Sequence, residues 1–315
     1  MTTTQLTLDL SKTTTRIPLI VNYGAGVDST AMLIGLHRNG ERPDVILFAD
    51  TGVEKPETYA YLDVMDAKLV SWGWPKITRV AYKPARASYT TLEGNCLVNE
   101  TLPGAAFGMH NCSLKFKADP MDNYLLGVSR GVNKCPGVQM VLDAIAAGVK
   151  PVKCIGYDCG KADTKRFEKV TRRDAKRAEA GEADASEFTF RYPLREWGWD
   201  REQSITEIAA EGMPVPVKSA CFFCPSSKPW ELLMLAAYHP DLFLRSIKIE
   251  DTARAGKHGL QTVAGLWRKQ SWRGWAEEAG ILKGNEIVMP KAELEKLALA
   301  AKPAIESACD GKACL

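Results

Sequence analysis

The chain has 315 residues, of which 45% are hydrophobic and 25% charged, with a formal net charge of +3. This composition is ordinary for a globular protein, and so small a net charge does not by itself indicate a nucleic-acid partner. The length allows one large α/β core and a smaller appendage, and no apolar run reaches the roughly 20 residues of a membrane helix.

The N-terminus and the cysteines predict the compartment. Residues 1–5 lack the basic and then apolar segments of a secretory signal, so we expect a cytoplasmic protein with no membrane partner. The nine cysteines are odd in number and irregularly spaced. In a reducing cytosol a Cys-x-x-Cys pair indicates metal or redox chemistry and not a disulfide framework.

The hydrophobic pattern predicts short buried strands that alternate with helices. Residues 1–15 are polar and Thr-rich, and we expect a flexible arm there. The pattern then predicts strands over 18–22, 45–48, 77–82, 152–157 and 188–192, and helices over 29–38, 56–72, 115–126 and 164–180. Such alternation is typical of parallel βαβ units. Residues 83–115 are rich in Gly, Asn and Thr and are predicted to form an active-site loop.

These elements predict an α/β fold: a doubly wound, mostly parallel sheet of about five strands in residues 16–215. The helical period dominates the remainder, so residues 216–315 are expected to hold a Cys-x-x-Cys turn, a helical C-terminal region and a loose tail. Ligands of such sheets bind beyond the carboxyl ends of the strands.

A glycine-rich loop connects the first predicted strand to the first predicted helix. Gly24 and Gly26 permit a tight turn and let an anion approach the backbone, and the N–H groups that open a helix bind phosphate. The loop is neither a Walker loop nor Gly-x-Gly-x-x-Gly. We interpret it as a phosphate-binding loop, with an ordinary tight turn as the alternative. Its residues are Gly24, Ala25, Gly26, Val27, Asp28, Ser29 and Thr30.

Motifs in the same order over about residues 17–230 resemble those of the phosphoadenosine phosphosulfate (PAPS) reductase family. That family belongs to the PP-loop, adenine nucleotide α-hydrolase-like superfamily, whose loop usually reads Ser-Gly-Gly-x-Asp-Ser. Gly24 and Ala25 stand in place of its first Ser and Gly, whereas Gly26, Asp28 and Ser29 match.

Four later segments extend the resemblance. Asp50-Thr51-Gly52 is similar to the Asp-Thr-Gly that ends the family's second strand. The segment 111–120 resembles its Cys-Thr-x-x-x-Lys-x-x-Pro, and the segment 221–225 resembles its Cys-x-x-Cys-Pro. Gly156, followed by Asp163 and Arg166, resembles a degenerate form of the family's Gly-x-Arg…Glu-x-x-Arg segment.

The resemblance implies a site for an adenine nucleotide, ATP or PAPS, with Mg²⁺. The base is expected beside Asp50, Thr51 and Gly52, with Gly156 nearby, and the phosphates on the loop. ATP-using members adenylate a substrate and release pyrophosphate, with Asp28 as the expected Mg²⁺ contact. Lys115 and Lys117 are expected to bind the pyrophosphate or sulfate end, and Arg166 to reach the nucleotide.

Cys221 and Cys224 have the spacing of half a metal site. The resemblance adds Cys112 as a third ligand of a 4Fe–4S cluster, although Ser113 stands where the iron–sulfur reductases of the family have a second adjacent cysteine. Cys96 is the candidate fourth ligand, unless the fourth iron stays open to bind sulfur. Zinc, a catalytic or disulfide-forming pair, and inert buried thiols are the alternatives.

Three functions follow as hypotheses. The first is a PP-loop enzyme that couples nucleotide activation to sulfur transfer, and the second a PAPS reductase that releases sulfite with a protein thiol as the donor. Thioredoxin-dependent PAPS reductases carry a nucleophilic cysteine on a C-terminal tail, where this chain has Cys309 and Cys314, but two exposed thiols on a frayed terminus are the favoured interpretation. The third is a metal-stabilised nucleic-acid-binding or interaction module without catalysis. The acceptor stays open among sulfate, a tRNA base, DNA and a metabolite. A thiol or sulfur donor protein and a homodimer are the further expected partners.

The predicted helix over 164–180 carries a basic stripe. Lys165, Lys169, Arg172 and Lys176 recur at spacings of four, three and four residues, which places them on one face. Such a stripe is able to follow a phosphodiester backbone. Acidic residues are interspersed, however, so a solvated helix face is the favoured interpretation.

Overall fold

A computed structural model of the chain describes residues 16–109, 111–129, 133–181 and 186–302. Its centre is a five-stranded, all-parallel sheet with the strand order β3-β2-β1-β4-β5. The predicted doubly wound α/β fold is therefore confirmed. The strands are β1 (Leu19–Asn22), β2 (Val45–Asp50), β3 (Thr78–Ala81), β4 (Val152–Ile155) and β5 (Thr189–Arg191).

Strand β1 lies in the middle of the sheet and contributes to both of its faces. Successive side chains of a strand point to opposite faces, so Val21 packs in one hydrophobic cluster and Ile20 in the other. The first face is covered by α1 (Val27–Arg38), α2 (Pro56–Ser71), α8 (Pro193–Glu196) and α9 (Arg201–Ala210), and the second by α5 (Asp119–Leu126) and α6 (Gln139–Ala146).

The segment predicted as a loop over 83–115 contains helices. They are α3 (Leu92–Val98), a 3₁₀ turn (Gly104–Phe107) and α4 (Asn111–Ser113), which continues through a π-helical turn (Leu114–Ala118) into α5. Helix α3 has only seven residues, too few for a clear period, and it is fixed by the Thr91 hydroxyl, which accepts the Gly94 N–H at 3.0 Å.

The C-terminal region is helical, as predicted. It contains α10 (Pro229–Tyr238), α11 (Pro240–Ala255), α12 (Trp272–Glu278), a short hairpin of β6 (Leu282–Lys283) and β7 (Glu286–Ile287), and α13 (Lys291–Ala301). Phe223 and Phe243 belong to a core that also includes Val53 and Leu92, which attaches this region to the loop after β2.

Helix α7 (Lys161–Glu179) connects β4 to β5. The expected arm over residues 1–15 and the tail thiols Cys309 and Cys314 lie outside the described residues. Among the helices of the described ranges, none combines the length and the apolar character needed to cross a membrane.

Glu250 of α11 connects this helix to the start of α12 and to the segment before it. Its buried carboxylate accepts the backbone N–H groups of Leu266 at 2.7 Å and of Trp272 and Arg273 at 2.9 Å each, so it caps the start of α12. Burial raises the pKa of Glu250, and the three hydrogen bonds oppose that rise.

We predict that Glu250→Ala lowers the free energy of unfolding by about 3 kcal/mol, because three backbone donors lose their shared acceptor. Urea unfolding at neutral pH measures this loss. Glu277→Ala is the control: it removes an exposed ion pair to Arg273 and should cost less than about 1 kcal/mol. Equal losses in the two variants would contradict the capping role.

Candidate active site at the carboxyl edge of the sheet

The glycine-rich loop lies where the sheet order changes direction. The chain proceeds from β1 to β2 and β3 on one side, and β4 and β5 lie on the other, so the carboxyl ends of β1 and β4 flank the switch point. Open parallel sheets bind their ligands in this crevice. A Cβ atom on Gly156 would lie 3.2 Å from the Ser29 nitrogen, which is tighter than an ordinary van der Waals contact, so glycine at this position favours the close approach of the loop after β4 to α1.

Hydrogen bonds within the loop fix its shape. The Ser29 hydroxyl lies 3.1 Å from the Gly24 nitrogen and 3.3 Å from the Gly26 nitrogen, and accepts from both N–H groups. Ala25 is buried in the left-handed region with φ 55°, at the position where the PP-loop usually has glycine. The Ser29 side chain thus serves the loop itself, and the N–H groups in the first turn of α1 are the donors available to an anion.

Two of the predicted loop residues support the loop from beneath. Val27 and Thr30 are fully buried, and the Thr30 hydroxyl lies 3.1 Å from the Tyr23 hydroxyl. Burial raises the pKa of Tyr23, which keeps this phenol protonated. Thr30 therefore lies in the core, away from the surface on which a phosphate would rest.

Asp28 faces a cation that the sequence did not reveal. The nitrogen Nη1 of Arg201, at the start of α9, lies 3.1 and 3.2 Å from the two Asp28 oxygens. Burial raises the pKa of Asp28, Arg201 opposes this, and the neighbouring Asp158 and Asp163 add to it. Mg²⁺ in nucleotide sites takes one or two carboxylates together with substrate phosphates, so Asp28 suits that role.

The raised pKa of Asp28 predicts a pH-dependent stability. The folded protein binds the Asp28 proton more readily than the unfolded chain, so stability falls as pH rises through the window between the unfolded and the folded pKa. Asp28→Asn mimics the neutral carboxyl and should raise the melting temperature at pH 7, and the gain should vanish at acidic pH.

Melting curves between pH 3 and pH 8 measure this difference, with Asp63→Asn as the control. Asp63 forms an exposed ion pair with Arg79, so this variant should change the melting temperature little at any pH. A loss of stability in Asp28→Asn at pH 7 would show that the pair with Arg201 outweighs the cost of burying the charge.

The turn after β2 is a second preformed element of the site. The oxygen Oδ1 of Asp50 accepts the Gly52 N–H at 2.8 Å and the Tyr59 hydroxyl at 2.7 Å. Gly52 has φ +71°, and a Cβ there would lie 2.4 Å from the Thr91 methyl carbon. The Asp-Thr-Gly motif is thus a turn that requires glycine both for its backbone conformation and for its packing against Thr91.

The Cys-x-x-Cys segment docks on this turn. The Phe222 N–H donates to the Val53 carbonyl at 3.0 Å, and the Thr51 hydroxyl lies 3.8 Å from Cys221 Sγ. Thr51 also donates to Glu54 Oε1 at 3.2 Å. The sulfur chemistry expected of Cys221 is therefore next to the expected nucleotide edge.

Glu54 and Lys117 complete this part of the site. Lys117 Nζ lies 3.5 Å from Glu54 Oε1, whereas Glu54 Oε2 is buried without a hydrogen-bond partner among the described residues. Burial lowers the pKa of Lys117, but Glu54 and then Cys221 reverse this, and the net pKa is raised. Burial and Glu54 raise the pKa of Cys221, and Lys117 opposes them.

The four expected metal ligands form two pairs. Burial raises the pKa of Cys96 to about 12, and its neighbour Cys112 adds to the rise. Cys221 and Cys224 are the second pair, and all four thiols are free. Within the described part of the chain, no three His, Cys, Asp or Glu side chains converge closely enough to hold a metal ion. Free thiols are nevertheless the ligands that iron–sulfur clusters and zinc take, and the cluster and the zinc site both stay predictions.

The remaining cationic residues do not converge with Lys117. Lys115 Nζ donates to the Tyr89 hydroxyl at 2.7 Å and to Asn95 Oδ1 at 3.2 Å, and it lies over the ring of Tyr82. Arg166, at the beginning of α7, donates to Asp163 at 2.7 Å. Lys115 is thus held among aromatic rings, and Arg166 stands beside the loop after β4.

Three functional candidates were absent from the sequence interpretation. Arg201 pairs with Asp28, Glu54 contacts Thr51, and Ser219 Oγ would lie 2.8 Å from a Cβ added to Gly26. Ser219 lies two residues before Cys221, so its closeness to the Cys-x-x-Cys motif was the one sequence signal that could have identified it. No local sequence signal identifies Arg201, since 173 residues separate it from Asp28.

A cavity of about 110 Å³ adjoins Arg201. Lys55, Glu57 and Trp230 also line it. Burial lowers the pKa of Lys55, while Glu57 Oε2 and Trp230 Nε1 are buried polar atoms without a hydrogen-bond partner in the described residues. Such groups are able to bind a polar ligand in this cavity, beside the Arg201 that pairs with Asp28.

No protein-family model matches the chain, and a search of curated proteins likewise found no match. The resemblance to the PAPS reductase family therefore rests on the motifs quoted above.

Proposed function

We propose that this protein is a PAPS-reductase-like PP-loop enzyme, which binds an adenine nucleotide and couples its activation to sulfur transfer. The close approach of Gly156 to the first turn of α1 is the observation that carries the proposal. It supports a glycine-lined crevice at the switch point, with helix N–H groups available to phosphate.

The residues of the crevice suit an adenylation step. The N–H groups in the first turn of α1 would bind phosphate, and Asp28 would hold Mg²⁺, which would supply positive charge to the phosphates. An acceptor oxygen attacks the α-phosphorus of ATP, the bond to the pyrophosphate oxygen breaks, and an acceptor adenylate forms. Arg201 lies beside Asp28 and offsets negative charge there. A sulfur nucleophile then displaces AMP.

The thiol pair supports the sulfur step, because Cys221 contacts Thr51 at the nucleotide edge. The sulfur comes from a persulfide on a donor protein, whose outer sulfur displaces AMP. One thiol of the pair then cleaves the new S–S bond, which frees the thiolated acceptor and leaves a mixed disulfide with the donor that the second thiol resolves. Such thiol chemistry fits the reducing cytosol expected for the chain. Two free thiols in one turn also favour a second candidate, reductive cleavage of PAPS. One thiol would take the sulfonate from PAPS, and the second would release sulfite and leave a disulfide.

We predict that Gly26→Ala weakens the binding of ATP and of PAPS by about tenfold or more, measured by calorimetric titration. The φ of Gly26 is −111°, which alanine adopts without strain, so the effect comes from the added Cβ. That Cβ would stand where a phosphate approaches the loop, and it would also press on Ser219 Oγ at 2.8 Å.

The double variant Gly26→Ala/Ser219→Gly separates these two causes, because it removes the hydroxyl that the new Cβ meets. Binding should stay weak in the double variant when compared with Ser219→Gly alone. Equal affinities of the double variant and Ser219→Gly would show that Gly26 only makes room for Ser219, and would sink the phosphate-binding role.

Product assays distinguish the candidate reactions. Pyrophosphate released from ATP, with sulfate, tRNA, DNA or a metabolite as the acceptor, would support the first function. Sulfite released from PAPS with a thiol donor would support the second. Neither product, combined with retained binding, would support the non-catalytic module.

Metal content tests the expected cluster or zinc site. We predict that Cys221→Ser and Cys224→Ser each lower the iron or zinc bound per chain in anaerobically purified protein by half or more, since a hydroxyl is a poor substitute for a soft thiolate. Cys154→Ser is the control, because Cys154 is buried in the middle of β4. Metal-free wild-type protein would refute both the cluster and the zinc site.

A further inference from the structure

Helix α7 leaves the body of the protein. It begins at Lys161, beside the loop after β4, and every residue from Thr171 to Gly181 is exposed. Asp163 is its one buried residue, and Arg195 anchors this end by donating to the Asp158 carbonyl at 2.7 Å and to the Thr164 hydroxyl at 3.1 Å. The far half of the helix therefore stands in solvent on all sides.

A helix in this position lacks the usual source of stability. Most helices in proteins are stabilised by an apolar face packed on the core, and isolated helices shorter than about 12–15 residues are marginal in water. A helix that is polar all round commonly spans solvent or meets another partner. The interpretation of the basic stripe as a solvated helix face thus explains the composition of α7. It does not explain why the helix extends beyond the body of the protein.

The charges of α7 are concentrated on one side. The helix has eight Lys and Arg residues against four Asp and Glu residues, a net charge of +4 in a chain whose total is +3. At 3.6 residues per turn, all eight cationic residues fall within an arc of about 160°. In the described part of the chain, five of them make no ion pair: Lys161, Lys165, Lys169, Arg172 and Lys176.

An aromatic cleft lies at the foot of α7. Phe167 of α7 packs against Tyr192 with ring centroids 5.1 Å apart, and Tyr192 stacks with Tyr157 at 5.5 Å. Phe190, on the edge strand β5, lines the same cleft and is 44% exposed. Arg195 lies over the Phe167 ring at 4.5 Å, so the cleft combines flat aromatic surfaces with a cation.

We propose that α7 and this cleft bind a nucleic-acid strand, with its phosphates along the basic face and, where the strand crosses the foot of the helix, an unpaired base on Phe190. The stripe repeats every three or four residues, about 4.5–6 Å along the axis, so a row of cations follows the helix, and Lys and Arg side chains on phosphates supply the main attraction to a nucleic acid. Proteins that bind single strands commonly combine a basic surface along the backbone with aromatic side chains on which bases stack. An anionic lipid surface or an acidic peptide would use the charges but not the cleft.

Fluorescence anisotropy with a labelled 20-nucleotide single strand and the matching duplex tests the proposal, with no ATP or PAPS present. The result therefore does not depend on the proposed function. The triple variant Lys169→Ala/Arg172→Ala/Lys176→Ala should bind the single strand about tenfold or more weakly at 0.1 M salt. Its plot of log affinity against log salt should lose about 2 from the slope.

The matched control is Lys248→Ala/Lys269→Ala/Lys296→Ala, which removes three exposed charges outside α7. Alanine favours helices, so circular dichroism should show that the α7 variant stays folded. Affinities of the two triple variants within twofold of each other would overturn the assignment of α7. Poly-glutamate bound as tightly as the single strand, with the same dependence on α7, would overturn the nucleic-acid assignment.

Phe190→Ala and Phe190→Tyr test the cleft. Loss of the ring should weaken single-strand binding about tenfold, tyrosine should restore it, and duplex binding should not change. Equal losses for single strand and duplex, or no loss in Phe190→Ala, would overturn the role of the cleft in holding an unpaired base.

Discussion

The candidate site depends on one close contact, between Gly156 after β4 and the first turn of α1. A side chain at Gly156 would require the loop after β4 or the first turn of α1 to shift by a few tenths of an ångström, because its Cβ would lie 3.2 Å from the Ser29 nitrogen. The contact holds because Val27 and Thr30 are buried beneath the loop, while the Ser29 hydroxyl ties Gly24 to Gly26. Backbone N–H groups are thereby fixed in place before any ligand arrives, which lowers the cost of binding an anion.

The site also contains polar and ionisable side chains whose burial is unfavourable. Glu54 has a buried oxygen without a partner in the described ranges, and burial raises the pKa values of Cys221 and Asp28. Native cores rarely leave such groups uncompensated, and departures of this kind concentrate at functional sites. Asp28 lies after β1, and Glu54 and Cys221 lie at the turn after β2. The concentration of costly buried groups at these two strand ends favours a ligand there over a purely structural turn.

The strands were predictable because strands buried on both faces of a sheet read as short continuous apolar runs between turn residues. The first predicted strand, 18–22, is Leu19–Asn22 in the structure. Helix α3 was not predictable, since seven residues show no clear period and its Thr91 cap lies in a stretch rich in loop-forming residues. Arg201 and Ser219 reach the site only through tertiary packing, which a single sequence does not show. For the same reason the sequence did not separate Lys117, beside Glu54, from Lys115, held by Tyr89.

Helix α7 shows how much the meaning of a charge pattern depends on its surroundings. A basic stripe with interspersed acids is compatible with a helix that packs its other face on the core, and such a stripe needs no ligand. In the structure the far half of α7 has no covered face, so packing does not account for its length. Its near end is anchored beside Asp163, whose neighbour Asp158 also interacts with Asp28. If both proposals hold, a strand bound along α7 would lead toward the glycine-rich loop, and a nucleic acid would be the first acceptor to test.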